Sequence, residues 1–332
     1  MVLPNKEEIL GTWSALSGSA EGDGWRSIAL VSGGGCGLRA GRCFPGNEET
    51  LLVQFGDAIL PVAQGWPMAT GFKLERAHLQ EQGEWLALVR QPSGSLDLFA
   101  MVVMDLVSTL LQSKNDEGKH LLHLFMTRLR AWMDFMKKGR QFLGPEAELG
   151  LIGELHCMTL LLDAGAPVPV LLDCWKGPED GLQDFLLGNG AVEVKSTLAK
   201  EGFPATILSL EQLDDGLRQP IFLCACQFSI ESSGQSLPEY IAALRCRMDE
   251  ATAVSFGFSL LQAGYLDAHA DRYVRRFHEV RTRFLLVDES FPRLTHGNVP
   301  LGITWAKYTV DLDAVEAPAY QAAKIIEMTG VI

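Results

Sequence analysis

Residues 184–196 read DFLLGNGAVEVKS, and this stretch carries the strongest fold signal in the chain. In AVEVKS apolar and polar residues alternate, so in a strand the valines point to one face while Glu193 and Lys195 point to the other. The Gly-Asn-Gly sequence between the two halves is typical of a tight β-hairpin turn. Asp184 begins the partner strand, so we expect its carboxylate to lie close to that of Glu193. Two convergent carboxylates suit a hard cation such as Mg²⁺.

A further acid is expected from the preceding helix, GPEAELGLIGELHCMTLLLDAGAP (144–167), whose glycine and proline end it. Glu154 shares a face of this helix with Gly150, Leu151, Met158 and Leu161. An unpaired carboxylate on an apolar face is costly to bury, so it implies a cation, a basic partner or a cavity. A structural salt bridge is the alternative. If Glu154 belongs to the site, it should lie within about 8 Å of Asp184 or Glu193, the reach of a water-mediated contact.

The segments around this hairpin predict a mixed α/β core. We expect a strand at VPVLLDCW (168–175), a short helix from Ser209, a strongly apolar strand at IFLCACQFSI (221–230), and a helix from 237 to about 248 opened by a Ser236/Glu239 capping box. Strands and turns are expected over the last 60 residues. Ser209-x-x-Gln212 is itself in capping-box register, which slightly favours a capping role for Gln212 over a role in the site.

Upstream of the core, residues 1–103 alternate short apolar runs, LDLFAMVVM among them, with glycine-rich and proline-rich turns. This pattern predicts a β-rich N-terminal domain. A helical connector is expected over 104–147, where hydrophobic residues recur at three- and four-residue spacing. The core is assigned to 148–235, and a C-terminal helix and β extension to 236–332.

The order of GLIGEL on a helix, WKGPEDGLQDF, AVEVKS and then SLEQL resembles the PD-(D/E)XK nuclease superfamily, and within it the bacterial restriction-endonuclease-like group called PD-(D/E)XK motif proteins. The resemblance implies an α/β (α+β overall) fold with a mixed four-stranded core flanked by helices. It also implies that Asp184 and Glu193 bind Mg²⁺, with Mn²⁺ as a substitute, and that Lys195 orients or deprotonates the attacking water. A glutamine such as Gln212 approaches the active site in related nucleases. Gln183 departs from the pattern, because the superfamily has proline there.

The charge distribution limits where DNA could bind. The chain has a formal charge of -13, and residues 148–230 hold 12 acidic and four basic side chains. Phosphate contacts would therefore need local basic patches. The candidates lie on the helix near residue 130 and in the segment 272–283: Arg128, Arg130, Lys137, Lys138, Arg275, Arg276 and Arg281. An ordinary solvated helix face is the default interpretation of the first group. If the two groups lie away from the active site, partner-protein binding explains them better.

Other function classes find little support in the sequence. The seven cysteines form no CxxC pairs, and neither a membrane-length apolar run nor an ATP-binding P-loop is present, so we expect a cytoplasmic protein with no membrane partner. The first hypothesis is a Mg²⁺-dependent DNA endonuclease of a bacterial restriction or phage-defence system that acts with protein partners. The sequence does not determine its oligomeric state, and a dimer is one possibility. The alternatives are a non-catalytic scaffold or nucleic-acid-binding subunit of the same fold, and a different metal-dependent hydrolase.

Overall fold

The computed structural model describes residues 6–18, 23–31, 35–56, 58–61, 66, 71–79, 83–113, 117–137, 142–179, 181–216 and 218–331. The chain forms two compact units, Met1–Gly139 and Arg140–Ile332. Within the described ranges, no helix combines the length and the apolar character needed to cross a bilayer.

The first unit combines a five-stranded antiparallel sheet with helices. Its elements are α1 (Lys6–Ala15), β1 (Gly24–Val31), β2 (Gly37–Phe44), β3 (Glu48–Gln54), β4 (Phe72–Leu79), β5 (Gly83–Arg90), α2 (Leu96–Gln112) and α3 (Gly118–Lys137). The strand order is β1-β2-β3-β5-β4. The boundary expected at residue 103 falls inside α2, because LDLFAMVVM forms a helix and not a strand. Ser95 caps this helix by accepting a hydrogen bond from the backbone N–H of Leu98.

Arg128 does not lie on an exposed basic face of α3, contrary to the prediction. It is buried, and its guanidinium donates to both carboxylate oxygens of Asp105 on α2 at 2.6 Å. Trp132, one helical turn further on, donates from Nε1 to the same carboxylate at 2.6 Å. Residues four apart share a helix face, so Arg128 belongs to the face that packs on α2. Arg130 is exposed, whereas the side chain of Lys137 and all of Lys138 lie outside the described residues.

The second unit carries the hairpin and the acids. Its elements are α4 (Pro145–Asp163), α5 (Val168–Cys174), β6 (Phe185–Leu187), β7 (Gly190–Thr197), β8 (Pro204–Ile207), β9 (Ile221–Gln235), α6 (Leu237–Arg245), α7 (Glu250–Ala263), β10 (Phe277–Val287), β11 (Tyr308–Asp311), β12 (Ala319–Tyr320) and α8 (Ala322–Thr329). The capping box at Ser236 and Glu239 is present as predicted, although α6 ends at Arg245 and not near 248.

The sheet of this unit is mixed and has five strands, in the order β12-β10-β9-β7-β6. β7 and β9 are parallel, and the remaining neighbours are antiparallel. Four core strands were expected. Three of them are present as β6, β7 and β9, and two further strands come from the segment after residue 236, where β10 lies along β9 and the short β12 lies along β10. The C-terminal segment therefore completes the core sheet.

Alternation along β7 sends its side chains to two different layers. Val192 and Val194 pack into the cluster formed with the helices. Ala191 packs on the opposite side, against a two-stranded ribbon made of β8 and β11. Glu193 and Lys195 follow Ala191 at two-residue intervals, so they belong to the ribbon side of the strand.

Two expected elements are different in the structure. VPVLLDCW forms the helix α5 and not a strand, since Pro169 fits the first helical turn and Leu171 and Leu172 pack into the core. Short apolar runs do not distinguish strand from buried helix by periodicity alone. No helix begins at Ser209, where residues 208–216 form turns. The α8 helix was also not anticipated.

Candidate active site

Asp184 is fixed at the point where β6 begins. Its carbonyl accepts hydrogen bonds from the backbone N–H groups of Lys176 at 2.7 Å and Gly177 at 3.1 Å. Its Oδ2 accepts from the backbone N–H of Val194 at 2.7 Å. The carboxylate thus occupies the edge of β7, beside the residue that separates Glu193 from Lys195.

Glu193 and Lys195 form a close pair on the ribbon side of β7. The Glu193 side chain is almost fully buried, at 3% exposure, and Lys195 Nζ lies 2.7 Å from its Oε1. Gln212 Nε2 donates to the same oxygen at 2.8 Å. Both groups hold the Glu193 carboxylate in one orientation, which confirms the shared face predicted from the alternation.

Gln212 serves both the backbone and the site. Its Oε1 accepts from the backbone N–H of Leu208 at 2.7 Å, while its Nε2 holds Glu193. The sequence slightly favoured a helix-capping role over a role in the site; no helix begins at Ser209, and the side chain makes both a backbone contact and the contact with Glu193. Gln183 explains how the turn is held: its Nε2 donates to the carbonyls of Glu211 at 3.3 Å and Gln212 at 3.2 Å. The residue that departs from the superfamily pattern therefore ties the Gln212 turn to Asp184.

The close approach of α4 to β7 brings Glu154 to the site. A Cβ on Gly153 would lie 1.8 Å from Ser196 Oγ, so only glycine lets the helix pack this closely. Glu154 Oε2 then accepts from Trp175 Nε1 at 2.7 Å. A Cβ on Gly177 would lie 2.2 Å from Glu154 Oε2 and 3.1 Å from Asp184 Oδ1. Since both oxygens are this close to one point, they lie well within the water-mediated limit of about 8 Å.

The electrostatics of the three acids are those of a crowded, poorly solvated cluster. Burial and then the Asp184 charge raise the pKa of Glu193 to about 8, although Lys195 opposes this shift. Burial, and next the charge of Asp184, raise the pKa of Glu154 well above its usual range. Burial also raises the pKa of Asp184, against the hydrogen bond from Val194 and the charge of Lys195. Gathering these carboxylates is unfavourable unless protons or a cation neutralise them.

The donor set fits a magnesium ion. Asp184 and Glu193 are hard oxygen donors at one place, and burial raises the pKa of both carboxyl groups although the charge of Lys195 lowers it. Among the described residues, no three His, Cys, Asp or Glu side chains form a closed metal-binding group. That finding does not oppose Mg²⁺, which usually takes one or two carboxylates and completes its shell with water and phosphate oxygens.

The three predicted DNA-binding arginines of the second unit already have acidic partners. Arg275 Nε donates to Glu148 at 2.8 Å, Arg276 Nη1 donates to Glu239 at 2.9 Å, and Arg281 Nη2 donates to Asp313 at 2.7 Å. Glu148 is buried, whereas the pairs of Arg276 and Arg281 are more exposed, and exposed ion pairs are weak and can exchange partners. Phosphate contacts by these arginines stay a prediction.

Sequence reasoning missed two residues that shape the site, Trp175 and Gly177. Both belong to the WKGP part of the motif, but the motif alone did not predict their contacts with the acids. Trp175 anchors Glu154 by a hydrogen bond, and Gly177 leaves room for two carboxylates.

The sequence as a whole also matches a known family. The sequence model of the family described as "Putative PD-(D/E)XK family member, (DUF4420)" matches residues 9–313. Searches of curated proteins and of solved structures gave no match. The family match covers nearly the whole chain and confirms the resemblance derived from the motifs. The chain belongs to this PD-(D/E)XK family.

Proposed function

We propose that the chain is a Mg²⁺-dependent endonuclease that hydrolyses phosphodiester bonds in DNA, as part of a bacterial restriction or phage-defence system. The observation that carries the proposal is the contact of Lys195 Nζ with Glu193 Oε1 at 2.7 Å, in a cluster with Asp184 and Glu154. A partly buried ammonium beside convergent carboxylates is the arrangement that the superfamily motif requires.

The side chains divide the chemical work. Asp184 and Glu193 would hold the cation, which supplies water activation and charge neutralisation at the phosphate. Lys195 is placed to hold a water molecule or a phosphate oxygen next to Glu193. Gln212 orients the Glu193 carboxylate, and Trp175 orients Glu154. Glu154 adds negative charge and a second proton acceptor behind Asp184.

A non-catalytic scaffold of the same fold is the second candidate. The observation that favours it is the engagement of Arg275, Arg276 and Arg281 with acidic partners, which leaves the predicted basic surface partly neutralised. Against it, a scaffold gains nothing from burying three carboxyl groups together, which raises the pKa of each.

Plasmid cleavage tests the proposal directly. We expect supercoiled plasmid to be nicked or cut with Mg²⁺ and to stay intact with EDTA, and we expect Glu193→Ala and Lys195→Ala each to abolish cleavage. Lys200→Ala and Glu201→Ala are matched controls, because these neighbouring side chains are exposed. Circular dichroism checks that each variant is folded. If Glu193→Ala and Lys195→Ala both cleave plasmid as fast as wild type does, the proposed nuclease activity is refuted. A wild-type protein that binds DNA without cleaving it would favour the scaffold.

A further inference from the structure

The segment 290–310 combines a lack of acidic residues with exposed apolar side chains. It reads SFPRLTHGNVPLGITWAKYTV and contains no Asp or Glu, although the chain has 41 of them. Within it lies an apolar loop, defined here as residues 299–306. The loop exposes Trp305 at 63%, Ile303 at 43% and the whole side chain of Leu301. Contiguous exposed apolar side chains of this size mark an interaction surface.

The β8–β11 ribbon places this apolar loop beside the candidate active site. Ile207, the last residue of β8, pairs with Tyr308, the first residue of β11. The chain after Ile207 and the chain before Tyr308 therefore leave the ribbon at the same end. The first leads into the turn that carries Gln212, which holds Glu193. The second is the apolar loop.

Further contacts join the same segment to the site. His296 Nε2 lies 2.6 Å from Glu211 Oε1, next to Gln212 in sequence. Arg293 Nη1 donates to the carbonyl of Leu213 at 2.7 Å. Tyr308 Oη accepts from the backbone N–H of Leu294 at 2.9 Å, which ties the start of β11 to the same segment. These contacts join the residues that precede the apolar loop to the turn that carries Gln212.

We propose that the apolar loop binds unstacked nucleobases of the substrate strand, with Trp305 as the stacking platform. The inference rests on the proposed nuclease function and specifies its substrate as a strand with accessible bases. An indole face stacks on any base, whereas a duplex presents only phosphates and groove edges at its surface. The absence of acids in 290–310, with Lys307 exposed beside Trp305, suits a polyanion.

Trp305 can be tested without disturbing the catalytic residues. The probe is a fluorescein-labelled, mixed-sequence single-stranded oligodeoxynucleotide, whose binding is measured by anisotropy in EDTA so that hydrolysis is stopped. Stacking of one base predicts that Trp305→Ala weakens binding by between about fivefold and about a hundredfold. Trp305→Phe should keep most of the affinity. Val274→Ala is the matched control and should bind like wild type, because it also truncates an exposed apolar side chain, at 75% exposure.

A second probe isolates stacking from other contacts. The same strand with central abasic sites should bind wild type more weakly than the intact strand, while Trp305→Ala should distinguish the two strands poorly. Equal binding of the intact strand by wild type and Trp305→Ala would overturn the inference, as would equal binding of both strands by wild type. Sedimentation velocity tests the alternative that the apolar loop binds a second copy of the chain. A wild-type dimer that becomes a monomer in Trp305→Ala, with unchanged DNA binding, would support that alternative and overturn the inference.

Parallel cleavage assays with plasmid and with the same single-stranded oligodeoxynucleotide separate this inference from the proposed function. If wild type cleaves DNA and Trp305→Ala binds the strand and cleaves like wild type, only the stacking role is refuted. Loss of strand binding in Trp305→Ala, with no cleavage by wild type under any metal, keeps the stacking surface and removes the nuclease.

Discussion

Gly177→Ala is the sharpest test of the acidic cluster, because it changes neither charge nor any named catalytic residue. The added Cβ would lie 2.2 Å from Glu154 Oε2 and 2.9 Å from its Cδ, where ordinary contacts are 3.4–4 Å. Gly177 is not among the glycines with positive φ, so its backbone accepts alanine and the effect is steric. The Glu154 carboxylate must therefore move by about 1 Å, a displacement that typically costs about a hundredfold in rate.

We expect Gly177→Ala to lower plasmid cleavage by about a hundredfold and stability by about 1–3 kcal/mol, the usual range for overpacking. Cleavage time courses and urea denaturation measure the two effects. Gly150→Ala is the control, since its Cβ would meet nothing within 4 Å on the same α4 helix. It should cleave like wild type and gain up to about 1 kcal/mol in helix stability. A fully active Gly177→Ala variant would refute the role given to Glu154.

Three further predictions address the acids one at a time. Glu154→Gln should reduce cleavage while the melting temperature holds or rises, since it removes a buried charge; destabilisation by about 3–5 kcal/mol would instead indicate a structural ion pair. Millimolar Mg²⁺ or Mn²⁺ should raise the melting temperature of wild type but not that of Asp184→Asn. At a hundredfold excess of the ion over Kd, the free energy of unfolding of wild type should rise by about 2.7 kcal/mol. Equal shifts of melting temperature for both proteins in scanning fluorimetry would exclude the metal role. Because the pKa of Glu193 is raised to about 8, its contribution to metal-free stability is fully present below its ordinary pKa and is lost as pH rises through about 8. Urea titrations in EDTA should show this loss in wild type and a flatter profile in Glu193→Gln, and identical profiles would contradict the shift.

Local periodicity was sufficient for the hairpin and for one strand of the core. Phe185 pairs with Val192 as the Gly-Asn-Gly turn requires, and Glu193 and Lys195 share a face as a period of two requires. The apolar strand after residue 220 was equally clear, because a run of this length bounded by turn residues is typical of a buried strand.

Where two local patterns compete, the sequence alone gave the wrong element. VPVLLDCW is apolar enough for a strand, but packing and Pro169 in the first turn favour a helix. Ser209 is a good helix start, yet the Gln212 side chain takes the backbone N–H of Leu208 and the segment stays a turn. These outcomes depend on what the segment packs against, which local sequence does not contain.

The sequence by itself determined the family, the hairpin and the identity of the central acids and lysine, because these depend on residues a few positions apart. Only the tertiary structure decided which side chains complete the site and which arginines are engaged. Trp175 reaches Glu154 across 21 positions, and Arg275 reaches Glu148 across 127. Such contacts are set by how α4 packs on β7 and how the C-terminal strands close the sheet, and no local periodicity encodes them.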